Sequence, residues 1–157
     1  TWFLRALKAM SEPFSRPATT EDAQELHRLV RAHAEFEKGK ATVTQEQLIA
    51  LLSSGEPRAY VIVCELSQRL VGYAAITQDY SLWRAHIWAH LDCLFVDEGK
   101  RSSGLGEILL KAACAYANSI GADQLEWQTP EWNRRAVSVY ERHGAHSVSK
   151  RRIMLEL

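Results

Sequence analysis

An apolar run, Leu91-Asp92-Cys93-Leu94-Phe95-Val96, leads into Arg101-Ser102-Ser103-Gly104-Leu105-Gly106, and a helical apolar stripe follows at once. This order dictates a strand, a glycine loop and a helix start in succession. Such a loop presents several backbone N–H groups in one direction. The helix dipole adds partial positive charge there and Arg101 adds a full one, so a pyrophosphate is the ligand it predicts. Two familiar phosphate loops do not fit. A P-loop ends in Gly-Lys-Ser/Thr, whereas Glu107 follows Gly106. The dinucleotide pattern G-x-G-x-x-G needs a third glycine, where this chain has Leu109, and it opens an early βαβ unit rather than standing this far along the chain.

The rest of the pattern sets the surroundings of that loop. Residues 14–18 read as a first strand. Thr19 and Thr20 are candidate helix N-caps, with Glu21 and Asp22 in the first turn. Ala23, Leu26, Leu29, Val30 and His33 follow at helical spacing to about Glu37, and Gly39 ends the helix. Thr44-Gln45-Glu46-Gln47 fits a capping box for a second helix with Leu48, Leu51 and Leu52 on its apolar face. Residues 59–65 are β-branched and aromatic, hence a strand. Ser67-Gln68 predicts a tight turn and residues 70–76 an antiparallel neighbour. Residues 79–84 are expected to be a loop before the longest strand, 86–96. After the glycine loop, Ile108, Leu109, Ala112, Ala113, Tyr116, Ala117 and Ile120 form one helical stripe closed by Gly121. Residues 124–128 predict a strand and 133–143 a helix ended by Gly144. Residues 145–157 are expected to supply one or two closing strands, chiefly through Ile153-Met154-Leu155. The order describes an α/β class, a mixed sheet with helices on both faces.

Composition removes other classes. The chain has 157 residues, and 19 Lys+Arg balance 19 Asp+Glu with no basic block, which argues against nucleic acid as a partner. No apolar run approaches membrane-spanning length. Cys64, Cys93 and Cys114 are odd in number and lie in apolar segments, so buried, reduced thiols in a cytoplasmic protein are expected. Residues 1–13 read as a short amphipathic arm or an appended extension. Residues 14–157 show no repeat or linker and read as one domain.

The loop and a second segment, Trp132-Asn133-Arg134-Arg135-Ala136-Val137-Ser138-Val139-Tyr140-Glu141-Arg142-His143-Gly144-Ala145, together resemble the GNAT N-acetyltransferases. That family has Q/R-x-x-G-x-G/A followed by W-N-x-x-A-x-x-x-Y-x-x-x-G-A, in this order and at this separation. Within it the chain is similar to the spermidine/spermine and thialysine acetyltransferase branch, through the strand 91–96 and the pair Phe36-Glu37 that ends the first helix. The resemblance covers residues 14–157. It implies an acyl-CoA N-acyltransferase fold with a central sheet of six to seven strands, acetyl-CoA as cosubstrate, and a homodimer. Backbone groups of Leu94, Phe95 and Val96 would pair with the pantetheine arm as an added strand. Arg101, Ser102, Ser103, Gly104, Leu105 and Gly106 would hold the pyrophosphate, and Asn133, Ala136 and Tyr140 would complete the coenzyme site. Tyr140 would be the general acid. Asp92, where the branch has a glutamate near the acceptor amine, would act directly or through water. Glu37, Trp83 and Gln128 would join Asp92 on the acceptor side.

Acetyl transfer to an amine needs no enzyme nucleophile. The amine must lose a proton, since a lysine-type ammonium has a pKa of about 10.4. An oxyanion needs N–H donors, expected near Phe95 or Val96, and the departing thiolate needs a proton. Direct attack in a ternary complex follows. His86 and His90 stand four residues apart along a strand, about 13 Å, too far for one ion, so no metal is expected. Cys93 has no neighbour that would activate it. Strand alternation puts His86, Trp88, His90 and Asp92 on one face unless a bulge intervenes. Trp83 and Trp88 as an aromatic wall, with Asp92 and Glu37, would suit a small cationic amine such as a polyamine, a diamino acid or an aminoglycoside. A protein or peptide amine is the alternative acceptor, and a non-catalytic acyl-CoA sensor is the alternative function.

Overall fold

A computed structural model describes residues 12–157; the arm read over 1–13 falls outside them except for its last two residues. The elements run β1 (Phe14–Pro17), a 3-10 turn (Thr20–Asp22), α1 (Ala23–Phe36), α2 (Gln45–Leu52), β2 (Tyr60–Leu66), β3 (Arg69–Ser81), β4 (His86–Val96), a second 3-10 turn (Glu98–Lys100), α3 (Leu105–Ser119), β5 (Leu125–Trp127) and α4 (Arg134–Arg142). They form one mixed sheet in the order β1-β2-β3-β4-β5. The first four strands are antiparallel neighbours, while β5 pairs parallel to β4.

Local chemistry explains most boundaries. Thr44 and Gln47 cap α2 reciprocally, at 2.9 and 3.2 Å. Ser67 and Gln68 both take left-handed φ, 51° and 61°, as a two-residue hairpin turn requires. Asp22 secures the start of α1. It accepts from the Thr19 N–H at 2.7 Å and from both Arg16 terminal nitrogens at 2.7 and 2.8 Å. The Arg16 Nε reaches Glu65 at 3.0 Å, so one guanidinium ties β1, β2 and α1 together.

Two apolar layers sandwich the sheet. One joins Ile62, Ala74, Ile76, Leu91 and Val96 to Leu105, Leu109 and Ala113 of α3. The other joins Val63, Tyr73 and Phe95 to Leu26 and Leu29 of α1 and Leu48 of α2. A bulge makes this division possible. Ala75 pairs with Cys93 and Ile76 with Leu91, so Asp92 is the extra residue on β4. Ala89 and Leu91 therefore face α3, whereas Cys93 and Phe95 face α1. The even alternation along His86, Trp88, His90 and Asp92 stops at that bulge.

Three expectations are corrected. The sheet has five strands among the described residues, rather than six to seven. Residues 145–157 form no strand; Ile153 and Leu155 are 89% and 84% exposed, because β-propensity produces a strand only where a ladder partner exists. The segment 79–84 is not all loop, since Asp79 to Ser81 continue β3 opposite Trp88 to His86.

Candidate active site

The site lies where β4 and β5 part. Their pairing ends at Leu91 opposite Trp127, and beyond it the two strands diverge. A cavity of about 920 Å³ opens in the gap. Leu94, Phe95 and Val96 form one wall, and Arg101, Ser102, Gly104, Leu105 and Gly106 form its loop end. Asn133, Ala136 and Tyr140 enter from α4, and Glu37, Asp92 and Gln128 stand at the inner end. Ser103 is the one loop residue outside the lining; its hydroxyl instead donates to the Lys100 carbonyl.

Backbone direction decides which groups of β4 face the gap. The Phe95 carbonyl oxygen lies against Gly72 of β3, and the Asp97 N–H donates to Val71 of the same strand. The Val96 carbonyl points the other way and accepts from Arg101 Nε at 3.0 Å. Strand alternation then turns the amides of Leu94 and Val96 toward the gap and that of Phe95 toward β3. Phe95 contributes a wall, not a hydrogen-bonding edge.

The loop end fits an anion. Gly104 is the N-cap of α3, with φ 81° and ψ 2°, a left-handed conformation suited to glycine. The first-turn N–H groups of α3 have no intrahelical acceptor by helix geometry. Arg135 of α4 donates to the Ser102 hydroxyl, so a second guanidinium reaches the loop, and Lys100 lines the same end. Arg101 is less free than the motif implies, because its guanidinium stacks 4.1 Å from the Phe36 ring centroid and 5.3 Å from that of Phe95. Asn133 caps α4, accepting from the Ala136 N–H at 3.4 Å, and lines the cavity as well.

Tyr140 packs edge-on against Trp127 with centroids 4.9 Å apart. Burial, and then the negative charge of Glu37, push its phenol pKa up, so it holds its proton at neutral pH. Across the gap lies a second cavity of about 470 Å³, which shares His33, Glu37, Leu91, Asp92, Gln128 and Thr129 with the first. Tyr73, His90, Cys93 and Arg152 are the polar groups of its remainder. The two cavities therefore meet at the bulge, with two carboxylates at the junction. Cys93 Sγ donates to Asp92 at 3.6 Å; burial above all, then Asp92, pushes the thiol pKa up to about 12. It remains a thiol at neutral pH and offers no nucleophile.

Residues 17–145 match the Acetyltransferase (GNAT) family. The chain belongs to that family. A thialysine N-epsilon-acetyltransferase of Bos taurus is 27% identical over 145 residues, covering 86% of this chain and 85% of its own length. An uncharacterized N-acetyltransferase of Bacillus subtilis is 29% identical over 132 residues, covering 82% and 87%. The crystal structure of an aminoglycoside acetyltransferase from a soil metagenomic sample, in complex with sisomicin, shares the fold: the TM-score is 0.73 over 92% of this chain and 97% of that one, at 19% identity. The chain is thus a GNAT-type N-acetyltransferase.

Two tryptophans expected on the acceptor side, Trp83 and Trp88, line neither cavity. Trp83 stands at the tip of the β3–β4 hairpin, 98% exposed, and touches neither cavity. The tryptophan that lines the cavity is Trp127; Trp132, half exposed, packs edge-on to Phe36 with Lys38 above its ring at 5.3 Å. Cys114 is exposed on the outer face of α3, one position off the apolar stripe, so only Cys64 of the three thiols is fully buried. Sequence reasoning missed His33, Tyr73 and Arg135. The i,i+4 spacing of His33 and Glu37 was a signal for the first; the others needed the register of β3 and the docking of α4. Among the described residues, no helix is long and apolar enough to cross a membrane.

Proposed function

We propose that this GNAT protein moves an acetyl group from acetyl-CoA to a primary amine of a small molecule, by direct attack in a ternary complex. The meeting of two cavities at the Asp92 bulge carries this reading, one cavity ending in cations and helix N–H groups, the other in carboxylates. In it, the amides of Leu94 and Val96 pair with the pantetheine arm. The N-terminus of α3, Ser102, Arg135 and Lys100 hold the phosphates. Arg101 leaves Val96 as the arm takes that carbonyl. Asp92 and Glu37 draw and orient the acceptor ammonium by charge. An N–H of the Leu94–Val96 edge stabilises the carbonyl oxygen as charge develops there, and Tyr140 gives its proton to the departing thiolate.

The activities of the relatives, on thialysine and on an aminoglycoside, support a small polyamine, diamino acid or aminoglycoside-like acceptor. The family's cosubstrate supports acetyl-CoA. The reading is tested by acetyl-CoA-dependent thiol release across spermidine, thialysine, sisomicin and short peptides, beside direct measurement of acetyl-CoA binding. Release with one small-amine class is expected. Release with peptides alone would overturn the acceptor class, and binding without any release would favour a sensor.

A further inference from the structure

His33, Glu37 and Tyr73 form a hydrogen-bonded line at the inner wall of the junction. His33 Nε2 lies 3.3 Å from Glu37 Oε1, and Nδ1 lies 2.9 Å from the Tyr73 hydroxyl. The Phe95 ring stacks on the imidazole at 5.0 Å and 19°, which fixes its plane. An ionised carboxylate only accepts, so Glu37 keeps the proton of neutral His33 on Nε2 and leaves the Nδ1 lone pair facing the Tyr73 O–H. Tyr73 lines the acceptor cavity and His33 lines both.

We propose that this line is the proton acceptor of the reaction: Tyr73 takes a proton from the acceptor ammonium while passing its own to His33 Nδ1, and Glu37 holds the imidazolium that results. The inference rests on the acetyltransferase reading above. The balance is complete. One ammonium N–H bond breaks and its proton ends, through Tyr73, on His33. The freed nitrogen lone pair forms the C–N bond to the thioester carbon, and the C–S bond breaks. Tyr140 protonates the thiolate and is restored by the second N–H proton lost as the amide forms. His33 then releases its proton to solvent. Tyr73 touches the acceptor, whereas His33 acts through it and is a positioning residue.

Electrostatics agree with this direction of transfer. Burial, ahead of all other causes, lowers the His33 pKa below its ordinary value, so the neutral form is ready at neutral pH. Burial likewise raises the Tyr73 pKa far above the phenol range, so Tyr73 transmits a proton and does not remain a phenolate. The other charged or titratable groups facing the imidazole or its cavity are Glu37 on α1, Asp92, Cys93 and His90 on β4, Arg101 beyond β4, and Arg152. Glu37 and Asp92 favour the imidazolium and Arg101 opposes it.

The test measures thiol release against pH for the wild type, His33→Gln and Tyr73→Phe, with the fastest acceptor among spermidine, thialysine and sisomicin, and again with methoxyamine. Acetyl-CoA affinity is measured for each protein. The sign follows from the lowered pKa: kcat rises with pH as His33 loses its proton, giving an acid limb below the ordinary histidine value of about 6.5. In His33→Gln that limb disappears and kcat falls about 10²-fold, with acetyl-CoA affinity unchanged. Tyr73→Phe, which keeps the ring and removes only the hydroxyl, behaves alike. With methoxyamine, unprotonated at neutral pH, both deficits shrink to a few-fold. Retention of kcat and the acid limb in His33→Gln, or an equal deficit with methoxyamine, overturns the relay alone. Absence of release from the wild type with every amine overturns the transferase reading and the relay with it.

Discussion

Gly72→Ala tests how closely the wall of the larger cavity, proposed above to take the coenzyme, is tied to the core behind it. A Cβ at position 72 would lie 2.7 Å from the Phe95 carbonyl oxygen and 3.1 Å from Leu109 Cδ1. Carbon and oxygen approach comfortably only at about 3.3 Å, so β4 must retreat by roughly 0.6 Å. Overpacking of this kind costs about 1–3 kcal/mol. The loss of glycine's freedom in the unfolded chain returns about 0.4–1 kcal/mol, since Gly72 has an ordinary strand conformation. The net loss is about 1–2 kcal/mol, which lowers Tm by roughly 2–8 °C for a domain of this size. Because Val96 lies opposite Gly72, the same retreat displaces the edge proposed to bind pantetheine. Thermal unfolding and acetyl-CoA titration of one preparation read both effects. Gly55→Ala, where nothing lies within 4 Å of the added carbon, is the control and should change Tm little. A Gly72→Ala protein as stable as the wild type, with unchanged affinity, would refute the argument.

Other outcomes follow from the same geometry. Tyr140→Phe should cut turnover by about 10²-fold while leaving acetyl-CoA affinity nearly intact, and parallel losses in stopped-flow turnover and calorimetric binding would remove it as the acid. Gly104→Val has open space for its side chain but places a β-branched residue at φ 81°, so coenzyme binding should be lost through a displaced loop. Equilibrium binding at high acetyl-CoA checks this. The Arg16 guanidinium, ahead of other causes, lowers the Asp22 pKa, so its contribution is present above the unfolded carboxyl value of about 3.9 and is lost as pH falls through the lower folded value. Asp22→Asn should therefore cost about 1.5–3 kcal/mol at neutral pH and flatten the denaturation midpoint against pH below about 4, as urea titrations would register.

What the sequence made legible was whatever depends on neighbours along the chain. The glycine loop, both capping motifs, the Ser67-Gln68 turn and the two apolar helical stripes were readable because each is specified within a few residues. The family motifs then carried the order of the site. What was not readable depends on partners far away. Whether 145–157 becomes a strand depends on a ladder partner, not on Ile153-Met154-Leu155. Whether Trp83 reaches the site depends on the length of the β3–β4 hairpin, which carries it to an exposed tip. Tyr73 sits mid-strand in an apolar run, and nothing local distinguishes it from a core aromatic; only the hydrogen bond to His33 does.

The bulge at Asp92 is where fold and chemistry become one problem. Without the extra residue, Leu91, Cys93 and Phe95 would share a face, and the aromatic ring that holds His33 would turn toward α3. With it, apolar residues before and after the bulge serve opposite layers, so neither core loses packing. The shift comes immediately after the last residue that β5 pairs with. Beyond that point the β4 edge has amides to offer and no neighbouring strand to receive them, a state that is costly for a buried edge and useful for one meant to receive a ligand as its missing strand. The exposed carboxylate of Asp92 thus lines the same cavity as an open edge, the glycine-capped start of α3 and an aromatic-held histidine. The single inserted residue turns Phe95 toward His33 while Leu91 stays with the α3 layer, and both still line that cavity.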